Sequence, residues 1–397
     1  MAPTTSTDTS AVAAAPRSRA RYASLDVLRG IAILGTLGTN IWIFTNAEGL
    51  VGYLNGTGHA IGSWGIAEDI LKQLVQGKFL GLLTLMFGIG LAIQQISAHR
   101  RGGRWPGRYP WRAGLLFLDG LLNYFFFAEF DVLMGYAITG LVVAYLLSWR
   151  IRRQRVAAVI AVGVHVVLLT LAAVGLWLLE RTATTSDPKP LSPNPYADGG
   201  FLDLVAFRAQ NFVMFRFEMV FILPMSVALF LVGAALYRRG ILTPDAASLR
   251  RKLMYLGFGV ALPLDFIVGL FGGDAGLVLG RYGFAPIVSL GILAAVAHFY
   301  ADARTPGAIG QALAPVGRMA LSCYVAQNIL AGAICYGWGL GLSAHLGPDI
   351  VVPATIGVFI TISVAMMVFA RLWMRRFDRG PLEWLWHESY LTLSRSR

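Results

Sequence analysis

The sequence predicts an all-α fold, a polytopic membrane helical bundle of about ten transmembrane helices with both termini in the cytoplasm. Of its 397 residues, 56% are hydrophobic and only 14% are charged, whereas a soluble domain has about 25% charged residues. The mean hydropathy is +0.63, and apolar stretches of membrane-spanning length recur along the chain. The net charge of +12 comes from short loops between these stretches, which disfavours a nucleic-acid partner.

The chain divides into a short lead and one membrane domain. Residues 1–20 are rich in Thr, Ser, Ala, Pro and Arg, a composition typical of a disordered basic segment. A cleaved signal peptide is disfavoured because the next apolar run has spanning length and lacks an obvious small-residue cleavage site. Residues 21–397 are then a single transmembrane domain.

The predicted spans follow one another with short loops. They lie near 26–46, 77–98, 113–129, 131–149, 156–179, 218–237, 253–272, 283–301, 319–340 and 351–373. None forms an obvious matched pair of interrupted helices. Interfacial helices are predicted at Ser63–Val75 and in the second part of the longest loop, at about 180–217.

Basic residues alternate from loop to loop. With the N-terminus in the cytoplasm, 26 of the 33 lysines and arginines fall in cytoplasmic segments and seven in outer ones. The positive-inside rule therefore predicts both termini in the cytoplasm and an even number of spans in the cell membrane.

The first span carries polar residues on one stripe. Asp26, Arg29 and Asn40 share a helix face, with Arg29 and Asn40 roughly 16 Å apart along the axis. Gly30 and its neighbouring glycines would let other helices approach closely. A functional site is one interpretation; an Asp26–Arg29 pair that anchors the helix at the headgroups is the other.

Candidate catalytic residues collect near the predicted outer face. His59 follows the first span, and histidine is the usual general base near neutral pH; a solvated loop histidine is the alternative. Lys78 opens the second span, where it would neutralise an anion or extend to the headgroups. Asp119 and Asn123 share a face of the third span, and Asp131 opens the fourth.

The predicted inner face is basic. Arg29, Arg112 and Arg318 lie there with the C-terminal motif RGPLEWLWHE. The ninth span is unusually polar, and hydrogen bonding between helices and ligand contact both explain it; its polar residues are Arg318, Ser322, Tyr324, Gln327 and Asn328. Cys323 and Cys335 lie on that helix about 18 Å apart, too far for a disulfide. The sequence shows no metal-ligand cluster.

Several stretches together resemble the YeiB-like bacterial membrane proteins, a family of unknown function. They are SLDVLRGIAILGTLGTNI, QGKFLGLLTLMFGIGL, FDVLMGYAITGL, VGRMALSCYVAQNIL and RGPLEWLWHESYLT. The first is also similar to the first helix of heparan-α-glucosaminide N-acetyltransferase and of the acyltransferase-3 enzymes, which move an acyl group from cytoplasmic acyl-CoA to a sugar beyond the membrane. In the lysosomal enzyme, an Asn on this helix precedes a catalytic His; the resemblance puts Asn40 and His59 in those places.

One position departs from the family. YeiB-like proteins commonly carry a His eight residues before the Asp that opens the fourth span, but Asn123 stands there before Asp131. If that histidine is the family's base, this protein either lost activity or uses His59.

These observations favour a membrane-embedded acyltransferase that uses acyl-CoA, acetyl-CoA foremost, to acylate a glycan, lipid or secondary metabolite at the outer face. His59 would be the base, with Asp131 and Asp119 as alternatives, and Asn40 would orient the base or polarise the acyl carbonyl. Arg29, Arg112 and Arg318 would hold CoA phosphates. A small-molecule transporter or lipid flippase is the alternative, and a non-catalytic assembly partner is a third. Membrane lipids are expected partners; homo-oligomerisation stays open.

Overall fold

The computed structural model describes residues 15–182, 190–301 and 306–395, with side chains described for 23–389 within these ranges. The described residues are helices joined by turns and loops. The helices are α1 (Ala15–Phe44), α2 (Gly49–Asn55), α3 (Gly62–Val75), α4 (Lys78–Arg100), α5 (Tyr109–Phe126), α6 (Leu133–Leu146), α7 (Ile151–Thr182), α8 (Phe201–Gln210), α9 (Phe212–Arg216), α10 (Met219–Arg238), α11 (Ala247–Met254), α12 (Leu262–Phe271), α13 (Gly273–Leu279), α14 (Ala285–Tyr300), α15 (Ala308–Arg318), α16 (Ala320–Cys335), α17 (Val351–Trp373) and α18 (Pro381–Arg395).

Every predicted span overlaps a helix or a run of helices, and the protein is a polytopic helical membrane protein. Seven segments within the described ranges are long and apolar enough to cross a bilayer, while α6 and α16 are apolar but shorter. Residues 1–14 of the predicted lead lie outside the described residues, and α1 takes in the last six residues of that lead. The two predicted interfacial segments are helical, as α3 and as α8 with α9.

The glycine-rich α1 packs against α4, α14, α15, α16 and α17. A Cβ atom at Gly30 would lie 2.3 Å from the Leu313 carbonyl oxygen, and one at Gly317 would lie 1.8 Å from the Asp26 carbonyl oxygen. Real side chains do not approach backbone so closely, so these two glycines let α1 and α15 touch backbone to backbone. The close approach expected of the first span is therefore present.

A second glycine contact joins α4 to α10. A Cβ atom at Gly88 would lie 2.2 Å from the Phe230 carbonyl oxygen, and one at Gly233 would lie 2.3 Å from the Leu85 carbonyl oxygen. Small residues are common where membrane helices pack, because dispersion and backbone contacts, more than a hydrophobic driving force, hold helices together in lipid. This contact brings the last turns of α4 and α10 side by side.

Contacts between loops and helices identify the two ends of the bundle. At one end, the Asn194 side chain donates to the Ala47 carbonyl oxygen at 3.0 Å, and Gly337 N–H donates to the Tyr196 carbonyl oxygen at 2.8 Å. We call this the outer end, after the predicted orientation. The opposite, inner end carries α18, which packs on α16 and α5. Segments that the charge pattern assigned to one side of the membrane therefore meet at one end.

Two neighbouring helical runs each contain a π-helical stretch. A π-helical stretch, Tyr255–Ala261, separates α11 from α12, and another, Gly280–Phe284, separates α13 from α14. At the first, a Cβ atom on Gly257 would lie 2.7 Å from the Gly291 Cα atom, so the helices touch through glycine. π-Helical turns inside α-helices are frequent at functional sites.

Candidate functional site

His59 is held by a buried carboxylate at the outer end. Its Nδ1 atom lies 3.4 Å from Glu68 Oε1, and the imidazole is 46% exposed while the Glu68 side chain is 4% exposed. Glu68 also accepts a hydrogen bond from Ala60 N–H at 2.7 Å and pairs with Lys72. A carboxylate on Nδ1 orients an imidazole and leaves Nε2 for proton transfer.

Asn46, rather than Asn40, secures the loop that carries His59. The Asn46 side chain donates to the Thr57 carbonyl oxygen at 2.7 Å and accepts from Glu48 N–H at 2.9 Å. Asn40 is half-buried on α1, and its side chain has no hydrogen bond to any described residue. Sequence reasoning overlooked Asn46 because helix periodicity draws attention to Asn40 and carries no information on loop conformation.

Asn123 and Asp131 meet in a buried cluster between α5, α6 and α16. Asn123 Nδ2 donates to Asp131 Oδ2 at 2.6 Å, and Asn328 Nδ2 lies 3.5 Å from Asn123 Oδ1. The other carboxylate oxygen of Asp131 accepts from Leu133 N–H at 2.8 Å. Asp131 lies between α5 and α6, where burial raises the pKa of its carboxyl to about 7; the hydrogen bond from Asn123 and the charge of Arg216 offset this only in part.

Two neighbouring amides of α16 have buried polar atoms without partners among the described residues. Both polar side-chain atoms of Gln327 and Oδ1 of Asn328 are buried without a hydrogen bond to a described residue. Leaving a buried polar atom unpaired costs roughly 1–3 kcal/mol, so such atoms are candidate contacts for a ligand or water. Asn328, Asn123 and Asp131 are therefore the candidate binding cluster at the outer end, and Gln327 is a further buried amide of α16.

Two arginines of the long loop at about 180–217 have buried side chains at this end. Arg208 is 1% exposed and donates from Nε to Glu129 Oε2 at 2.9 Å, while Tyr196 donates to Glu129 Oε1 at the same distance. Arg216 donates to the Asp131 carbonyl oxygen at 2.7 Å and lies over the Tyr124 ring. Their positions on an apolar segment were the available signal, because a buried arginine in such a segment needs a partner.

Lys78 pairs inside the bundle. Its Nζ atom lies 2.5 Å from Asp265 Oδ2, with side-chain exposures of 3% and 0%. Gln73 donates to the same carboxylate oxygen at 2.8 Å. Lys78 therefore does not extend to the headgroups, because Asp265, brought to it by α12, neutralises its charge inside the protein.

The inner end holds the other predicted residues. Arg29 lies 3.7 Å from Asp26, and Arg318 donates to the Asp378 carbonyl oxygen at 3.4 Å. Arg112 is exposed and donates to Gln94 at 3.0 Å. Asp119 accepts a hydrogen bond from the Trp386 indole, so it contacts the C-terminal helix α18.

The C-terminal motif holds α18 on the start of α16. Glu383 accepts hydrogen bonds from Leu321 N–H at 2.8 Å, from Ser322 N–H at 3.3 Å and from the Ser322 hydroxyl. A Cβ atom at Gly380 would lie 2.1 Å from Glu383 Oε2. Gly380 and Glu383 therefore have a structural role, because they hold α18 against the start of α16. Within the described residues, no group of three His, Cys, Asp or Glu could hold a metal ion. Cys323 and Cys335 are free cysteines on α16.

Comparison with known proteins finds one matching family model and several similar proteins. The model of the family described as "Protein of unknown function (DUF418)" matches residues 236–392. The uncharacterized protein YxaH of Bacillus subtilis (strain 168) is 27% identical, with 93% of this chain and 94% of that protein aligned. The uncharacterized protein YeiB of Escherichia coli (strain K12) is 28% identical over 93% of this chain and 96% of its own.

An uncharacterized 39.9 kDa protein in the amylase 3′ region of Bacillus acidopullulyticus is 24% identical, with 92% of both chains aligned. No solved structure matches the chain significantly. The relatives align along nearly the whole chain, which includes the motifs that pointed to YeiB-like proteins. The family model thus matches the C-terminal part of the chain, and YeiB and YxaH are similar to it along nearly its whole length.

Proposed function

We propose that this protein is a membrane-embedded acyltransferase that moves an acyl group, acetyl foremost, from cytoplasmic acyl-CoA to an acceptor at the outer face. The observation that carries the proposal is the His59–Glu68 pair, an exposed imidazole oriented by a buried carboxylate 3.4 Å away. A histidine held in this way suits general base catalysis. The acceptor is a hydroxyl or amine of a glycan, lipid or secondary metabolite.

In the proposed reaction, His59 Nε2 takes the proton of the acceptor as its oxygen or nitrogen attacks the acyl carbonyl. The carbonyl carbon bonds to the acceptor, the thioester bond breaks, and CoA leaves as the thiolate, which receives the proton that His59 took and so restores the neutral imidazole. Glu68 stabilises the imidazolium that forms. Asp131 is the alternative base, since its pKa near 7 would let it take a proton at neutral pH; Asn40 would polarise the carbonyl.

The donor would bind at the inner end, where Arg29, Arg112 and Arg318 supply positive charge for CoA phosphates. This assignment needs ten spans in the cell membrane with both termini in the cytoplasm. The division of 26 basic residues against seven supports that orientation. The separation of predicted inner and outer segments to opposite ends of the bundle supports an even number of spans.

The test is turnover of acetyl-CoA labelled in the acetyl group by the purified protein in proteoliposomes, with and without candidate acceptors. His59→Ala should reduce turnover by about 10²-fold or more, and Glu68→Gln should reduce it less while keeping a folded protein. His345→Ala, an exposed histidine in the loop after α16, is the matched control. Wild-type turnover in His59→Ala would move the base to Asp131, and absence of any acetyl-CoA turnover or binding would end the acyltransferase proposal.

Transport is the second candidate, and the Lys78–Asp265 pair favours it. Membrane transporters commonly carry buried ionisable pairs and interrupted helices, and Asp265 lies on α12, directly after a π-helical stretch. Proteoliposomes with a pH-sensitive dye inside would respond to an imposed pH gradient if this pair moved protons. A proton flux that Asp265→Asn abolishes would favour transport; no flux, with acetyl-CoA turnover intact, would favour acyl transfer.

A further inference from the structure

A cavity of about 310 Å³ lies at the inner end, between the last turns of α4 and α10. Ile93, Ile96, Ser97 and Arg100 line it from α4. These positions follow the spacing i, i+3, i+4 and i+7, so they form one helix face. That face runs from two isoleucines, through a serine, to an arginine at the helix end, and the cavity wall is therefore apolar on one side and basic on the other.

The second wall is the end of α10 and the turn after it. Arg238 and Thr243 line it, and the Thr243 hydroxyl donates to the Gly240 carbonyl oxygen at 2.8 Å within the turn. Arg238 donates to Gln154 Oε1 at 2.6 Å through one terminal nitrogen. Because a guanidinium has five N–H donors, Arg238 can keep this bond and still bind an anion in the cavity.

The turn that forms this wall is rigid. Arg250, 1% exposed, donates to the carbonyl oxygens of Ile241 at 3.0 Å and Pro244 at 3.1 Å, and also to that of Thr243. Gly240 has a φ of +71°, which favours glycine. Because the buried Arg250 donates to three carbonyl oxygens, the turn around Thr243 is fixed before any ligand arrives. This lowers the entropic cost of binding.

Arginines in a last helical turn also have a simpler role, because they offset the partial negative charge of a helix C-terminus. That partial charge is about half a unit per helix. Arg100 and Arg238 each carry a full positive charge, so two helix ends and two arginines leave the cavity with a net positive charge of about one unit. Among the described residues, none that lines the cavity is acidic. The site is therefore suited to an anion that also carries an apolar group.

We propose that this cavity binds the phosphate group of an amphiphile, with Arg100 and Arg238 on the phosphate and the isoleucines of α4 on the apolar part. Two sources have this chemistry, an anionic phospholipid of the inner leaflet and acyl-CoA. The inference does not depend on acyl transfer, because a phospholipid would occupy the site equally well in a transporter.

Native mass spectrometry of the detergent-solubilised full chain tests the proposal. The probes are phosphatidylglycerol against diacylglycerol with the same chains, and acetyl-CoA against S-acetylpantetheine, which lacks phosphate. Arg100→Gln and Arg238→Gln should each weaken binding of the phosphate probe by about ten- to a hundred-fold. Arg101→Gln and Arg239→Gln, adjacent arginines outside the cavity lining, should leave it nearly unchanged.

Ser97→Leu, which fills the cavity without changing charge, should also abolish binding and serves if an arginine variant fails to fold. Binding of phosphatidylglycerol alone assigns the site to a lipid headgroup, and binding of acetyl-CoA alone assigns it to a soluble donor; both support the proposal. Equal losses in the cavity and control arginine variants, unchanged binding in Ser97→Leu, or no preference for the phosphate-bearing probes would overturn it.

Discussion

At the scale of single residues, Asn123 shows what the family pattern means in space. Asn123 stands where YeiB-like proteins commonly carry a histidine, and its side chain donates to Asp131 at 2.6 Å. A histidine there would be within reach of the same carboxylate, in the arrangement of a base oriented by an acid. The spacing of eight residues predicted neither the Asn123–Asp131 contact nor the contact that a histidine would make there. The reason is that α5 ends between the two positions and the chain turns back.

We therefore expect Asn123→His to raise acetyl-CoA turnover by about tenfold or more, since a positioned base contributes roughly 10²–10⁴ in rate. Turnover of labelled acetyl-CoA measures the gain. Asn123→His combined with Asp131→Asn is the control and should lose it, because the imidazole would no longer be oriented by a carboxylate. A folded Asn123→His variant without any gain would show that this position no longer takes part in chemistry.

Asp131 predicts a pH dependence of stability. Burial raises the pKa of its carboxyl to about 7, from an ordinary value of about 3.9. The folded state thus holds the proton more tightly than the unfolded state, so this contribution is complete below the ordinary pKa and is lost as pH rises through about 7. The Tm in detergent should fall between pH 5 and pH 8, and Asp131→Asn should reduce that slope; Asp349→Asn, in an exposed loop, should leave it unchanged.

At the scale of elements, α16 begins without a cap of its own. Met319 precedes it and makes no capping hydrogen bond with its side chain, so the first N–H groups of α16 need an acceptor from elsewhere. Glu383 of α18 supplies one, and its negative charge also suits the positive end of the helix. The C-terminal motif is thus explained by helix capping across the chain, and its Gly380 by the lack of room for a Cβ atom.

Glu383→Gln should lower the free energy of unfolding by about 1–3 kcal/mol, because a charged acceptor of three hydrogen bonds is replaced by a neutral one. It should also speed tryptic cleavage between α17 and α18, where Arg375, Arg376 and Arg379 lie. Tm and limited proteolysis in detergent measure both effects. Asp378→Asn, an exposed neighbour, is the control; equal cleavage rates in the two variants would mean that Glu383 does not hold α18.

At the scale of the whole molecule, the proposed orientation is open to a direct test. Asn55→Cys and Arg104→Cys are exposed positions in segments assigned to the outer and inner sides. An impermeant maleimide applied to intact cells should label the first and leave the second unlabelled. The native Cys323 and Cys335 are fully buried, so background labelling should be low. The reverse pattern would invert every side assignment.

Hydropathy and charge along the chain were sufficient to predict the helical membrane fold, because these properties depend on residues close in sequence. The similarity to YeiB was predicted from sequence motifs. The boundary between the end of α3 and the start of α4 depends on tertiary structure, since a Cβ atom at Gly77 would lie 2.4 Å from the Arg281 carbonyl oxygen. The tertiary structure decided which polar side chains pair with one another. Lys78 meets Asp265, and Glu383 meets Ser322, across long separations in sequence, and His59 gains Glu68 through the turn into α3.

Helix rotation and packing angle decide such pairings, and neither is encoded in periodicity alone. Hydropathy assigns a residue to a depth in the membrane. Only the packed bundle determines which other polar group it faces at that depth, because each buried charge or amide must find its partner among helices that are distant in sequence.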